Sequence, residues 1–190
     1  DSSPNTYDGN MKLQKLLVFA DLANIAEYGE PLFGDQVLAF KNGCVVEKVR
    51  LRYKNDYVAF YNDSKSYQPD FSEREYEILR LILDIFGNAT AKELSEINHT
   101  FSFWKSAFIN GTSSTGYHDK EQSVVDMMSQ ESDLNRMREI ISAYKETSSE
   151  VESSETINGV TFFFDGFVLT DDLMDQLEQF SLSAEEDAYS

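Results

Sequence analysis

The chain has 190 residues, of which 41% are hydrophobic and 13% aromatic, so it is long and apolar enough to form one domain with a core and is not wholly disordered. No apolar run approaches eighteen residues, and we therefore predict no transmembrane helix. Residues 1–10 are polar and acidic and lack the basic and apolar regions of a signal peptide. The single cysteine, Cys44, cannot form an internal disulfide, which fits a cytoplasmic location.

The charge is strongly negative and unevenly spread. The chain has thirty-four acidic and sixteen basic residues, for a net charge of −18, and Lys145 is its last cation. Every charged residue in 146–190 is therefore acidic. Because this charge repels a phosphate backbone, we do not expect autonomous nucleic-acid binding. An acidic surface suits solubility, which is the more common reason for it, or docking to a basic protein.

The first predicted element is a helix from Met11 to Tyr28. Its apolar residues form one stripe and extend to a second face, which is typical of a helix at the centre of a core. Gly29 is placed to end the helix in the left-handed conformation, with Pro31 just beyond it. The stripe consists of Leu13, Leu16, Leu17 and Ala20, and the second face adds Phe19, Leu22, Ala23 and Ala26.

The following segment is harder to interpret. Residues 30–44 are rich in turn-forming residues around a short apolar run, 37–40, whose period is undefined. Residues 45–53 fit a strand, because apolar and basic residues alternate, but Val49 and Tyr53 also fit a helix, and periodicity does not decide between the two. Residues 54–70 are polar, and we predict a loop.

Two capping boxes predict the next helices. Ser72 and Glu75 open a helix that Gly87 ends, and Thr90 and Glu93 open a shorter one. The first has an apolar face of Tyr76, Leu79, Ile82, Leu83 and Phe86. Residues 98–118 form a longer connection, and a third long helix is predicted from about residue 132 to 144.

The C-terminal part has its own pattern. Residues 146–156 are almost entirely Glu, Ser and Thr, which predicts a solvated linker. Beyond it, residues 160–164 and 167–169 flank Asp165 and Gly166, a strong hairpin signal. Thr170 can cap a last helix, and the end of the chain is predicted to fray. Since this unit is too small to be stable alone, we expect residues 157–190 to dock on the core.

The common catalytic and phosphate-binding motifs are missing from the sequence. His99 and His118 could in principle bind a metal or act as bases, and Cys44 could be a nucleophile. We instead expect His99 to stabilise a loop near Trp104, Cys44 to pack beside the adjoining valines, and His118 to be exposed. We predict no catalytic residue, no cofactor and no metal.

Residues 11–49 contain Lys-Leu-Gln-Lys-Leu-Leu at 12–17, Phe-Ala-Asp at 19–21, Tyr-Gly at 28–29, Pro-Leu-Phe-Gly at 31–34 and Phe-Lys-Asn-Gly-Cys-Val at 40–45. This series resembles the opening of the Panacea domain, also known as the SocA-like antitoxin domain. The family shows a Lys-Leu-Gln-Lys-Leu-Leu helix, an aromatic-Ala-Asp stretch, Tyr-Gly, Pro-Leu-Xaa-Gly, and an aromatic-Lys-Xaa-Gly-Pro-Val turn. This chain departs from the family at the proline of that turn, which is Cys44 and leaves φ unconstrained. The matching residues that we regard as structural or partner-binding are Lys12, Leu13, Gln14, Lys15, Leu16, Asp21, Tyr28, Gly29, Pro31, Lys41, Gly43 and Val45.

The resemblance continues to about residue 145. His99 and Trp104 occupy the family's Thr-His and Trp-Xaa-Xaa-Ala positions, behind its Leu-Ser helix. The resemblance implies a mainly α (α+β) fold, with a compact helical core over residues 11–145 and the C-terminal hairpin and helix outside it. It also favours a helix over 45–53.

The function that the resemblance implies is not enzymatic. Members of this family resemble antitoxins of phages and mobile elements, which neutralise a cognate toxin by direct binding or deliver it to a protease as adaptors. We therefore expect a protein partner and no membrane association. The acidic C-terminal region supports one alternative, a counter-defence protein that mimics nucleic acid and blocks a DNA-binding enzyme.

Overall fold

The computed structural model describes residues 6–149, 153–157 and 160–164, and the predicted mainly helical fold is confirmed there. The chain divides into two units, residues 1–141 and 142–190. No helix of the described ranges is long and apolar enough to cross a membrane. The elements are α1 (Tyr7–Tyr28), β1 (Val37–Phe40), β2 (Gly43–Val46), α2 (Glu47–Asn55), α3 (Tyr57–Ser66), α4 (Glu73–Phe86), α5 (Ala91–His99), α6 (Ser102–Asn110), α7 (Glu131–Ser149), β3 (Ser153–Ile157) and β4 (Val160–Phe164).

Helix α1 lies at the centre of the first unit, as predicted. The side chain of Thr6 accepts a hydrogen bond from the backbone N–H of Gly9, so the helix begins within the segment predicted to be a polar terminus. Gly29 ends it at φ 76°, the left-handed conformation expected of that residue. Phe19 is fully buried, with its ring centroid 4.8 Å from that of Phe86 and 6.0 Å from that of Phe101. The helix packs on α4, α5 and β2.

A β-hairpin occupies the segment that periodicity left undecided. Strands β1 and β2 are antiparallel, with Val37 opposite Val46 and Phe40 opposite Gly43. Both strands are almost wholly buried, which is why they form continuous apolar runs without alternation. The chain turns helical at Glu47, so the helix that the resemblance favours for 45–53 is present from residue 47 onward.

Two predicted loops are in fact helices. The expected loop 54–70 contains α3, which Asp56 caps by accepting from the N–H of Ala59. Its aromatic residues lie one helical turn apart, a pattern that the surrounding polar residues obscure. The expected connection 98–118 contains α6, whose residues Phe103 and Ala107 are buried.

The two capping boxes are confirmed at the starts of α4 and α5. The apolar face of α4 is rotated from the predicted one. Ile78 is buried with Ile82 and Phe86, whereas Tyr76 is 60% and Leu83 is 56% exposed. Leu79, Leu81 and Ile85 pack against the core beside them, so the buried face of α4 is shifted around the helix from the predicted one.

The C-terminal unit differs from expectation at the predicted linker. Helix α7 continues to Ser149, and β3 lies at 153–157, both within residues assigned to the linker or adjoining it. Strands β3 and β4 are antiparallel, with Ser153 opposite Phe164 and Ile157 opposite Val160. The described partner strand of 160–164 is therefore a segment that the sequence analysis assigns mostly to the linker. The predicted strand 167–169, the last helix and the frayed end lie outside the described residues.

Candidate partner-binding site

The tip of the β1–β2 hairpin, residues 40–46, is the point on which several of the sequence-predicted residues converge. Gly43 lies at φ 95°, in the left-handed region. A Cβ atom at this position would lie 2.5 Å from Oδ1 of Asn98 and 2.7 Å from Cε of Lys15. Glycine is therefore required twice here, for the backbone conformation and for the close approach of two side chains.

Side chains from two helices satisfy the outer edge of β2. The N–H of Val46 donates to Oε1 of Gln14 at 2.9 Å, and the N–H of Cys44 donates to Oδ1 of Asn98 at 2.7 Å. Nζ of Lys15 donates to the carbonyl of Cys44 at 2.7 Å. These side chains thus take the place of a third strand for three buried backbone groups of β2.

Lys15 is an unusual residue for the interior, since only 1% of it is exposed. Burial lowers its pKa from 10.5 to about 8, an effect that interaction with Cys44 partly offsets. None of the ion pairs in the described part of the chain includes Lys15. The helix thus holds an ammonium group in the core against a carbonyl oxygen alone, which is a costly arrangement.

His99 and Trp104 hold the strand β1 side of the same turn. Their rings pack against each other at a centroid distance of 4.0 Å, with the planes tilted by 34°. Nε1 of Trp104 donates to the carbonyl of Phe40 at 2.9 Å. Burial, and next the charge of Lys15, lower the pKa of His99. This geometry gives His99 the loop-stabilising role that the sequence favours.

Cys44 and His118 also have packing environments. Cys44 is fully buried, and this burial raises the pKa of its thiol to about 12, so the thiolate that a nucleophile needs is disfavoured. His118 lies against the rings of Phe40 and Phe108, at centroid distances of 5.0 and 5.9 Å. Among the residues that the structure describes, no group of three or more His, Cys, Asp or Glu side chains could hold a metal ion.

The remaining sequence-predicted residues support the frame around the hairpin. Nζ of Lys12 donates to the carbonyl of Gly87 at 2.6 Å. Oδ1 of Asp21 accepts from the N–H of Leu32 at 2.7 Å and so fixes the loop after α1. Burial raises the pKa of Asp21, and the backbone N–H groups of Leu32 and Phe33 oppose that rise. Leu13 and Leu16 are half-buried, Val45 is buried, and Gly29 and Pro31 are exposed in the turn after α1.

Tyr28 lies on the surface, apart from the hairpin. It is 47% exposed, and the guanidinium of Arg74 lies 5.0 Å from its ring centroid. Arg74 also pairs with Glu30 at 2.6 Å. These contacts join the end of α1 to the start of α4.

A pocket of about 490 Å³ opens beside the hairpin tip. The first turns of α1 form one wall, the turn 40–43 forms another, and α2 closes the third side. Four cations line it, Lys15, Lys41, Arg50 and Lys54, and none of the described lining residues is acidic. The lining of the pocket is therefore positively charged, although the whole chain has a net charge of −18.

Sequence reasoning missed several residues of this site. Asn98 holds Cys44, Ser95 donates to the carbonyl of Asn42 at 2.8 Å, and Asn10 links Gln14 to the carbonyl of Arg50. Ser95 and Asn98 lie on the buried side of α5, one turn apart. Polar residues at helical spacing on an otherwise apolar face are the signal that could have identified them.

Residues 13–105 match the family model described as antitoxin SocA-like, Panacea domain. The match contains α1 from residue 13 onward, the β1–β2 hairpin, the helices α2 to α5 and the side chains that hold the hairpin edge. No curated protein and no solved structure matches the chain.

Proposed function

Because the chain contains a SocA-like Panacea domain, we propose that it is an antitoxin-like module that binds a cognate toxin and neutralises it directly or delivers it to a protease. The single observation that carries this proposal is the family match over residues 13–105. A structural feature of the same segment supports it, namely the exposed aromatic and aliphatic side chains on α2 and α3.

Helix α3 has no buried residue, although it carries four large apolar side chains. Val58 is 70% and Tyr61 is 41% exposed, and Tyr67 just beyond the helix is 68% exposed. Leu51 on α2 adds to the same pair of helices at 38% exposed. Exposed aromatic side chains on a preformed helix are typical of surfaces that contact another protein.

The domain is proposed to act without chemistry of its own. Its histidines and its cysteine are engaged in packing and in holding the hairpin, as described above, and the family is not typically catalytic. The toxin would therefore be controlled by occupancy of a surface or by its removal, in the reducing cytoplasm where a buried free thiol persists.

The experiment that tests this function is co-expression with the product of the neighbouring reading frame. A strain that expresses this small protein is expected to stop growing and to recover when the full chain is expressed with it. The two proteins are expected to co-purify. Failure of the chain to restore growth, with the neighbouring protein shown to be toxic alone, would overturn the proposal.

The fate of the toxin distinguishes the two modes of control. If neutralisation is steric, an immunoblot shows an unchanged amount of toxin in the rescued cells. If the chain acts as an adaptor, the toxin disappears, and rescue requires an intact ATP-dependent protease.

A further inference from the structure

The pocket beside the hairpin tip differs in charge from the rest of the chain and leads to a statement about the partner. We propose that it binds a carboxylate-bearing peptide segment of the partner protein, an inference that rests on the proposed function. The pocket would take an Asp or Glu side chain or a terminal carboxylate, with the neighbouring residues of the segment against its apolar wall. At about 490 Å³ it falls within the size range of ligand pockets in proteins.

The first argument is the buried ammonium of Lys15. It lines the pocket, is 99% buried and has one hydrogen-bond acceptor, the carbonyl of Cys44 at 2.7 Å. An ammonium group can donate three hydrogen bonds. A carboxylate that enters the pocket would supply both a further acceptor and the opposite charge that no described ion pair supplies.

The second argument is the rim of the pocket. Lys41 and Lys54 are exposed lining residues, and neither belongs to an ion pair within the described ranges. Arg50 is paired with Glu47 at 2.7 Å, so its charge is already balanced in part. Two unbalanced exposed cations around one buried cation form a graded positive field that draws an anion inward.

The third argument is the mixed character of the walls. Met11, Phe40 and Val45 provide apolar surface beside amide groups of Gln14 and Asn42. A hydrated inorganic anion makes no favourable contact with apolar surface. A peptide segment does, because it has apolar carbon next to its carboxylate. A nucleic-acid strand would need a longer cationic track than the four cations that line this pocket.

The test begins with the purified full chain and a phage-displayed library of random dodecapeptides. Peptides selected on the chain are expected to be enriched in Asp and Glu. Synthetic copies, made with and without a C-terminal amide, are then measured by fluorescence anisotropy. Replacing the acidic residues by Asn or Gln is expected to weaken binding at least tenfold, and 0.5 M salt is expected to weaken it as well.

The pocket is assigned by a matched pair of variants. Lys41→Ala/Lys54→Ala removes two exposed cations of the rim, and is expected to reduce peptide affinity about tenfold. Lys92→Ala/Lys105→Ala changes the net charge by the same amount at exposed positions that do not line the pocket, and is expected to reduce it less than twofold. Neither pair removes a buried contact, so both proteins are expected to fold.

Three results would overturn the inference. The selected peptides are not acidic, or the two double variants bind them equally well, or ATP or inorganic phosphate at millimolar concentration displaces them and binds in their place. In the growth assay, a Lys41→Ala/Lys54→Ala chain that has lost peptide binding but still neutralises the toxin refutes the peptide as the recognition element and leaves the antitoxin function standing. A wild-type chain that binds acidic peptides but fails to neutralise refutes the antitoxin function instead.

Discussion

Helices α1 and α3 represent opposite extremes of burial in one unit of the chain. In α1, eleven residues are buried, and four of them are the polar or charged residues Gln14, Lys15, Asp21 and Asn24. In α3 no residue is buried, although the helix includes Val58 and three aromatic side chains. Hydropathy thus gives the wrong side-chain environment in both helices, and for opposite reasons.

The reason in α1 is hydrogen bonding across elements. Gln14 and Lys15 are buried because each bonds a backbone group of β2, and Asp21 because it bonds the loop after the helix. The side-chain contacts that stabilise α3 come from the neighbouring helix α2 and leave no residue of α3 buried. Tyr57 and Phe60 pack against Tyr53 of α2 at centroid distances of 4.9 and 5.3 Å, and Asp63 pairs with Arg52. The comparison predicts that substitutions near the polar contacts of α1 lower the free energy of unfolding strongly, whereas substitutions on α3 lower it little.

The largest effect is expected at Gly43, where the hairpin meets α1. Gly43→Ala adds a Cβ atom within 3 Å of both Asn98 and Lys15, in a left-handed backbone conformation. The left-handed conformation alone costs about 1–2 kcal/mol for a residue with a Cβ atom, and the displaced side chains add to this cost. We expect a loss of more than 3 kcal/mol in the free energy of unfolding, measured by urea denaturation.

Gly116→Ala is the matched control for this substitution. Gly116 has a similar φ of 81°, but nothing lies within 4 Å of an added Cβ atom. Only the conformational cost is expected there, about 1–2 kcal/mol. If the two variants lose equal stability, the close approach of Asn98 and Lys15 to the hairpin has no energetic weight.

The second effect is expected at Asn98, whose Oδ1 accepts the N–H of Cys44. Asn98→Leu keeps the approximate volume but leaves that buried N–H without an acceptor, which costs about 1–3 kcal/mol. The exposed Asn88 serves as the comparison, since Asn88→Leu is expected to change stability by about 0.5 kcal/mol or less. Thermal unfolding of the two proteins at the same pH measures the difference, and similar melting temperatures would contradict the role of Asn98.

The third prediction concerns pH and the buried pair of Lys15 and Cys44. The pKa of Lys15 is lowered to about 8 in the folded state, so the unfolded chain binds this proton more tightly and stability rises as pH increases from 8 toward 10.5. The pKa of Cys44 is raised from 9.0 to about 12, so above pH 9 the unfolded chain loses the thiol proton first and stability falls. Between pH 9 and 10.5 the two slopes are equal and opposite, and above pH 10.5 only the Cys44 slope remains. We therefore expect these two groups to contribute a rise in stability between pH 8 and 9, no change from pH 9 to 10.5, and a fall above pH 10.5.

Variants at the two positions separate the contributions. In Cys44→Ala the rise is expected to continue to about pH 10.5 and to reach about 3 kcal/mol, since each unit of pKa shift is worth about 1.4 kcal/mol. In Lys15→Met the rise is expected to vanish. Because other groups titrate above pH 9, the measured quantity is the difference in unfolding free energy between variant and wild type. A pH-independent difference in both variants would show that Lys15 is not a buried ammonium.

The elements that the sequence predicts correctly are those with strong local signals. Helices α1, α4 and α5 have caps at their ends, and two of the caps are reciprocal boxes. The β1–β2 hairpin lacks such signals, because its short strands are buried on both faces and therefore show no alternation. Helix α3 was missed because a polar sequence with no buried residue resembles a loop.

The candidate site was predictable only in part. The resemblance identifies Gln14, Lys15 and Gly43 as residues of interest, but not that they meet at one strand edge. The pocket depends on Lys15, Lys41 and Lys54, which are far apart in sequence and come together only when the hairpin packs on α1. The net charge of −18 does not reveal such a cluster, because the position of Lys15 beside the basic segment 41–54 is set by the fold.

The smallest effect on stability is expected on α3, where Val58 is 70% exposed. Val58→Ser removes little buried surface, so the free energy of unfolding is expected to change by about 0.5 kcal/mol or less. Phe60→Ser, two residues along the same helix, removes a half-buried ring that contacts Tyr53, and is expected to cost about 1 kcal/mol.

If α3 is a surface for the toxin, the order reverses in the growth assay, where Val58→Ser with an unchanged fold weakens neutralisation. A Val58→Ser protein that neutralises as well as wild type would show that the exposed side chain of Val58 has no role in binding. A Val58→Ser protein that unfolds more easily than wild type would show that the Val58 side chain contributes to packing despite its 70% exposure. Measuring stability and neutralisation on this one pair of variants separates a packing role of α3 from a binding role.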